Sequence, residues 1–315
     1  MLSSLFGSAL TAARDAASKQ HYPQGALYVV ATPIGNLADI SLRALYVLQL
    51  ADSIACEDTR HTQTLLRAYG IDKSAAQLLA VHQHNEAQAS DLVIARLQLG
   101  QRVAFVSDAG TPAISDPGAR LVAAVRARAL TVVPLPGASS VTTALSVAGI
   151  VGDDGEHSGF VFFGFLPAKA GERGTAIEAL ATEPRSVVLL EAPHRIEAVA
   201  LALAGLGQRR ITIGRELTKQ FEEIATVSAV DFPGWLSADA NRLRGEFVLV
   251  LHPATQGMDV APAQEQRVLR LLLAELPLKT AVRLTAEITG ASKNVLYDAA
   301  LAIKKDGSAP LESAE

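Results

Sequence analysis

The stretch ALYVVATPIGNLADISLRALYVLQLADSIACEDTRHT, residues 26–62, decides the fold. It opens on a short apolar run at residues 26–31, as expected of a strand buried on both faces. Residues 41–50 follow with Leu42, Leu45 and Leu48 at helical spacing. Residues 53–56 form a second apolar run, and residues 62–69 read as a second helix. The same alternation continues outward. Strands are expected at 78–81, 103–107 and 131–134, with helices at 86–99, 118–129 and 139–147. Strands separated by helices of this length predict an open, mainly parallel α/β sheet.

A polar, glycine-rich segment, VGDDGEHSG at 151–159, separates this block from a second one. Strands are expected there at 160–165, 186–190, 210–214, 223–227 and 247–251, with helices at 171–181 and 195–206. Residues 253–262 read as a linker. Helices at 263–276, 278–289 and 292–304 follow, the last two joined by Thr289-Gly290-Ala291, a helix-turn-helix type of corner. The expected organisation is a flexible extension over 1–25, an α/β domain over 26–150 and another over 151–252. A linker with a helical C-terminal extension covers 253–315.

Composition narrows the function classes. The chain has 315 residues, 49% of them apolar and 19% charged, which excludes a disordered chain. Its net charge is -4, so any nucleic acid must be held by a local patch rather than by bulk charge. Residues 1–150 carry 11 basic and 10 acidic side chains, 151–252 carry 10 and 14, and 253–315 carry 7 and 8. The single Cys56 excludes an internal disulfide and suits a reducing compartment. No apolar run is long enough to span a membrane. The N-terminal residues do not follow the charge order of a secretory signal.

Open α/β sheets bind ligands beyond the carboxyl ends of their strands. Four such positions here carry loaded loops: Thr32 to Leu37, Glu57 to Thr62, Asp108 to Gly118 and Pro134 to Ser140. No Walker A motif, dinucleotide-binding G-x-G-x-x-G or G-x-S-x-G nucleophile elbow occurs among them. His82-Gln83-His84 reads as a turn cluster rather than a metal site, and no metal is expected. The Asp108–Pro117 loop offers short polar groups and backbone amides suited to a small, flat, nucleoside-like ligand.

Eight strings in order carry a resemblance. They are LYVVATPIGNLADISLRAL (27–45), EDTRHT (57–62), SDAGTPAISDPG (107–118), LPGASS (135–140), GFLPAKAGER (164–173), EAPHRI (191–196), GRELTKQFEE (214–223) and RGEFVLV (244–250). Together they resemble the bacterial small-subunit ribosomal RNA methyltransferase I family, within the tetrapyrrole-methylase-like class. The resemblance implies two α/β domains with S-adenosylmethionine in the cleft between them, and a homodimer. It also implies a cytoplasmic enzyme that 2'-O-methylates cytidine 1402 of 16S rRNA in the 30S subunit. Two other readings stay open. One is a methyltransferase of the same fold acting on a tetrapyrrole or diphthamide precursor. The other is a non-catalytic RNA binder in ribosome assembly.

The resemblance places the cofactor against Pro33, Gly35, Asp108, Ala109, Gly110, Thr111, Ile114, Ser139 and Ser140 in the first domain. From the second it adds Leu166, Ala192, Pro193, Gly245 and Glu246. Methyl transfer to a weakly acidic hydroxyl gains from a nearby proton acceptor. Glu57, Asp58, Glu191 and Glu216 are candidates, with Arg60 and Lys219 as charge partners. The cluster Glu57, Asp58, Arg60 and His61 is preferred because it follows a strand. Arg60, Lys169, Arg173, Arg195, Arg215, Lys219 and Arg244 are the expected RNA contacts, since the Arg fork suits phosphate. Lys279, Arg283, Lys293, Lys304 and Lys305 give the C-terminal helices a basic side. RNA binding and dimerisation stand level for that segment.

Overall fold

A computed structural model of the chain describes residues 6–82, 86–115, 118–151, 159–254 and 260–306. The first block runs α1 (Gly7–Ala17), β1 (Ala26–Val30), α2 (Leu42–Leu50), β2 (Ser53–Cys56), α3 (Thr59–Ala68) and β3 (Leu78–Ala80). It continues with α4 (Glu86–Gln98), β4 (Val103–Val106), α5 (Ala119–Ala127), β5 (Thr131–Leu135) and α6 (Ser140–Val147). The strands form a parallel sheet of order β3-β2-β4-β1-β5. Both faces are covered, which is why the strands read as unbroken apolar runs. Tyr28, Leu45, Ile54 and Leu66 pack on one side, and Leu27, Val93, Phe105 and Leu121 on the other.

Two local differences from expectation have clear causes. Helix α3 begins at Thr59, not residue 62, because the Asp58 side chain accepts hydrogen bonds from the amides of Arg60 and His61. Residues 7–17, expected to be a loose extension, are helix α1. Ala13 and Ala17 are buried against the first domain, and the Phe6 ring lies 5.2 Å from that of Tyr69. Alanines at i and i+4 share one helix face, and their small size lets that face pack closely.

The second block runs β6 (Phe160–Phe165), α7 (Ala170–Leu180), β7 (Ser186–Glu191), α8 (Ile196–Leu203) and β8 (Arg210–Arg215). It ends with β9 (Glu223–Ser228), α9 (Phe232–Ser237) and β10 (Phe247–Leu251). This sheet, of order β6-β7-β10-β8-β9, is mixed: β6 and β7 are parallel, while β10 is antiparallel to both β7 and β8. Helices α7, α8 and α9 cover one face. The other face takes α6, whose Val141 and Ala144 pack with Val188, Val248 and Val250. Helix α6 follows the first sheet in sequence but contributes to the core of the second. The boundary expected around 151–159 falls mainly on residues outside those described.

Strand β6 carries a bulge between Phe162 and Gly164, with Gly164 at φ 79°. The extra residue puts Phe162 and Phe165 on one face, where a regular strand would separate them. Helices α10 (Val260–Glu275), α11 (Leu278–Thr289) and α12 (Lys293–Asp306) pack around Leu269, Val282, Leu296 and Ala300. Gly290 ends α11 in the left-handed region, at the expected corner. Among the described residues, no helix is long and apolar enough to cross a membrane.

Candidate active site

Strand order selects which loops meet. Strands β4, β1 and β5 are neighbours, so the loops beyond their carboxyl ends form one surface. Ile34, Ala109, Gly110, Thr111, Ile114, Ser115 and Ser139 from these loops, with Ser140 and Val141 at the start of α6, wall one side of a cavity. Their backbone is tied together. Thr32 and Gly110 exchange N–H···O bonds of 2.9 and 3.0 Å. Thr32 Oγ1 donates to the Ser107 carbonyl at 3.1 Å, and Thr111 Oγ1 to the Ala138 carbonyl at 3.1 Å. Gly110 sits at φ 82°, and a Cβ there would lie 3.3 Å from Ile34 Cγ2. Glycine lets the loop turn and lets its backbone approach a ligand.

The opposite wall comes from the second sheet. Its register aligns Phe247 with Glu191 on one neighbour and with Arg215 on the other, and Phe165 with Leu190. Phe165, Leu190, Glu191, Ala192, Pro193, Leu217, Glu246, Phe247 and Val248 therefore line the cavity. The bulge in β6 brings the Phe165 ring to this face. The cavity measures about 330 Å³, within the usual range for small-molecule sites of roughly 300–1,000 Å³. One wall offers hydroxyls and backbone, the other apolar side chains and two carboxylates. A ligand with a flat apolar ring system and polar ends, such as S-adenosylmethionine, suits that division.

The expected cofactor residues divide. Ala109, Gly110, Thr111, Ile114, Ser139, Ser140, Ala192, Pro193 and Glu246 line the cavity; Pro33, Gly35, Asp108, Leu166 and Gly245 do not. Leu166 is buried among Ile177, Leu189 and Ile196 in the second core. Asp108 Oδ1 accepts the Asp58 amide at 3.3 Å. Gly35 and Gly245 work at close approaches instead. A Cβ on Gly35 would meet Lys219 Cγ at 2.4 Å, and one on Gly245 would meet Glu216 Cγ at 2.5 Å. They let the 216–219 turn pack against both segments.

The preferred acid–base cluster lies elsewhere than expected. Strand β2 is on the far side of β4 from β1, so neither Glu57 nor Asp58 lines the cavity. Asp58 Oδ1 instead caps α3, accepting from Arg60 N at 2.8 Å and His61 N at 3.3 Å. These amide hydrogen bonds hold the Asp58 carboxyl below its ordinary pKa, which suits a cap better than a base. Arg60 is almost fully exposed. Lys219 Nζ joins Glu216 Oε1 at 2.9 Å and Glu246 Oε2 at 3.0 Å. Burial pushes Glu216 up, but bonds from Lys219 and the Glu246 amide outweigh it and leave the carboxyl below its usual value. Burial alone would lower Lys219, and its two carboxylate partners reverse that shift.

The expected RNA contacts also divide. Lys169, beside Glu172, and Arg244 are exposed, as is Arg60. Arg215 is buried, its guanidinium donating to the carbonyls of Arg244, Phe221 and Asn241. This corrects the expectation that it meets phosphate. Arg195 binds the Leu166 carbonyl and the Glu191 carboxylate. Arg173 donates to the Ala168 carbonyl. Cys56 is buried, which pushes its thiol up to about 11 and leaves it unreactive. His84 and the side chains of Lys304 and Lys305 lie outside the described residues. Among those described, no group of three or more His, Cys, Asp or Glu could hold a metal.

Ile34, Ser115, Val141, Phe165, Leu190, Leu217, Phe247 and Val248 were not expected at the cavity. Phe165, Leu190, Phe247 and Val248 are ordinary apolar strand residues, and only pairing register reveals which end faces the cleft. Ile34 and Ser115 lay inside loops already singled out.

Residues 26–232 match the family described as Tetrapyrrole (Corrin/Porphyrin) Methylases, and residues 259–304 match the RsmI C-terminal HTH domain. The chain is 47% identical over 289 residues to ribosomal RNA small subunit methyltransferase I of Escherichia coli O157:H7, covering 90% of this chain and 98% of that protein. The cobalt precorrin-4 methyltransferase CbiF shares the fold with a TM-score of 0.53 at 19% identity, covering 73% of this chain and 98% of that one. Uroporphyrin-III C-methyltransferase of Thermus thermophilus, solved with S-adenyl homocysteine, matches at a TM-score of 0.50 and 16% identity, covering 72% and 96%.

Proposed function

The chain belongs to the ribosomal RNA small subunit methyltransferase I family, and from that premise we propose that it methylates the ribose 2'-hydroxyl of cytidine 1402 in 16S rRNA. S-adenosylmethionine is the methyl donor, and when bound it supplies an electrophilic methyl group on its sulfonium. The observation that carries the reading is the cavity between the two α/β units, one wall backbone-rich and the other largely apolar.

Gly110, Thr111, Ser139 and Ser140 hold the polar end of the cofactor, while Ala192, Pro193, Leu217 and Val248 enclose its ring system. Holding both reactants in line supplies much of the acceleration. For the proton of the ribose hydroxyl, Glu246 is better placed than Asp58. It lines the cavity, its side chain is largely exposed, and Lys219 orients it at 3.0 Å. Ile114 and Phe165 stand half-exposed at the same cavity, where a nucleotide enters. Exposed Arg60, Lys169 and Arg244 contact the RNA backbone, together with the helix-turn-helix segment. The working unit is a cytoplasmic homodimer. Its domains are 26–150 and 151–252, followed by the extension over 253–315, with α6 bridging the first two.

Incubation with labelled S-adenosylmethionine and either 30S subunits or naked 16S rRNA, followed by mapping of ribose methylation, tests the proposal. Label at the 2'-oxygen of cytidine 1402 is the expected result. Label on neither RNA, or at a position other than a ribose 2'-oxygen, overturns it.

A further inference from the structure

Strand register sets one row of side chains across the second sheet. Phe165 pairs with Leu190, and Leu190 with Val248, so the three lie side by side on β6, β7 and β10. All three line the cavity. The row grades outward: Val248 is buried, Leu190 is half-buried and Phe165 is 51% exposed. Strand β6 is the edge of its sheet, so no further strand of that sheet continues the row beyond Phe165. Two strand spacings, about 10 Å, separate its ends.

Phe165 holds this place because of the bulge in β6. In a regular strand it would point away from the face that carries Phe162. The extra residue, with Gly164 at φ 79°, turns it onto the cleft face. Bulges beside active sites commonly re-aim a side chain in this way. A phenyl ring left half in water adds little to the core. Phe247, the other aromatic residue at the cavity, is 2% exposed. Among the described lining residues, Phe165 alone offers an open ring face.

The reaction indicates what meets that face. The ribose hydroxyl must come within about 3–3.5 Å of the methyl carbon. The base is joined to the neighbouring ribose carbon, so it is carried to the same cavity. Inside an RNA stack the ribose cannot enter, and leaving the stack costs free energy that an aromatic platform returns. The cofactor's ring system takes the inner end of the row, against buried Val248 and Leu217, and leaves the outer end open.

We propose that Phe165 is the platform on which the base of the target nucleotide stacks after leaving the RNA stack. This rests on the methyltransferase reading above. Stacking on an aromatic ring accepts any base. Phe165 therefore selects an unstacked nucleotide, not cytosine in particular.

Methylation of 30S subunits at saturating S-adenosylmethionine, with calorimetric titration of S-adenosylhomocysteine, compares wild type with Phe165→Ala, Phe165→Leu and Phe165→Trp. The kcat/KM for RNA is expected to fall about 5- to 100-fold in Phe165→Ala, as for one lost base–aromatic stack. Phe165→Leu keeps apolar bulk without a flat face and should lose most of the same factor. Phe165→Trp should hold the wild-type value, because indole presents a larger face. Affinity for S-adenosylhomocysteine should stay unchanged throughout. Thermal unfolding checks that each variant is folded, and the leucine and tryptophan variants decide the matter if the alanine one is not.

Unchanged kcat/KM in folded variants overturns the proposal, as does a tryptophan variant no better than the leucine one. An equal loss of S-adenosylhomocysteine affinity also overturns it, by giving the ring to the cofactor. So does dissociation of a dimer in sedimentation with methylation restored at high protein concentration, which would make Phe165 a contact between copies. Wild type that methylates no RNA overturns the methyltransferase reading itself.

Discussion

The two walls of the cavity are built by different means. The first domain supplies loops after three adjacent parallel strands, held by the Thr32–Gly110 pairing and by short hydroxyl side chains. The second supplies strand ends of a mixed sheet, held by buried guanidinium groups. Arg215, paired with Phe247 at the cavity end, donates to the carbonyls of a turn and a loop, and at the far end of the same sheet Arg209 donates to the carbonyls of His252, Leu180, Ala181 and Glu183. A backbone wall tolerates side-chain change but not added bulk. A sheet pinned at its ends by buried arginines fails when a cation is removed, because several carbonyls lose their partner together.

The sharpest way to break this contrast is Arg209→Met. Orphaned carbonyls should destabilise the second domain by about 3–5 kcal/mol. Denaturant unfolding followed at Trp235, which lies in that domain, should show an early transition. Coincident unfolding of both domains without loss of stability would mean that the arginine is not a structural clamp.

His252 gives a milder test of the same domain. Burial, with Arg210 and Arg209 nearby, pulls its imidazole down to about 4, and Nε2 meets Thr212 Oγ1 at 2.8 Å. The folded state thus excludes a proton that the unfolded chain binds below about pH 6.5. The contribution is complete above about pH 6.5 and is lost as pH falls from there to about 4, amounting to about 2–3 kcal/mol. His252→Asn should flatten the stability profile across that window. A profile as steep as wild type would place the acid sensitivity elsewhere.

In the first wall, Gly110→Ala puts a side chain at φ 82° and against Ile34. A stability loss of about 1–2 kcal/mol is expected, with weaker S-adenosylhomocysteine binding. Unaltered binding would remove this loop from the cofactor site. The smallest effect belongs to Arg60→Ala, which should leave stability unchanged and lower the salt slope of RNA binding by about 1. Arg215→Met should do the reverse, lowering the melting temperature ahead of any RNA effect. If Arg215→Met instead changes only the salt slope, its guanidinium reaches RNA after all.

Much of the fold was legible because apolar periodicity reports local geometry. The strands at 53–56, 160–165 and 247–251 lie where expected, as does the helix at 278–289. Boundaries shifted where a side chain intervened, as Asp58 does at α3. The cavity loops were legible in part: Gly110 and Thr111 line the cavity, but Gly35 and Gly245 serve close packing. Leu166 went to the core because it follows Phe165, and the β6 bulge had already turned Phe165 to the cleft.

The sequence by itself determined that the chain alternates strands and helices in two blocks, that functional loops follow particular strands, and to which family the chain belongs. Its eight motif strings sufficed for that, because family membership is carried by residue identity and order. Tertiary structure alone decided that β4, β1 and β5 are neighbours while β2 stands aside, so that neither Glu57 nor Asp58 lines the cavity. It also set Val248, Leu190 and Phe165 in one row, with Phe165 half-exposed at its outer end. Strand order and cross-strand register depend on contacts between residues distant in the chain, and local periodicity holds no record of them.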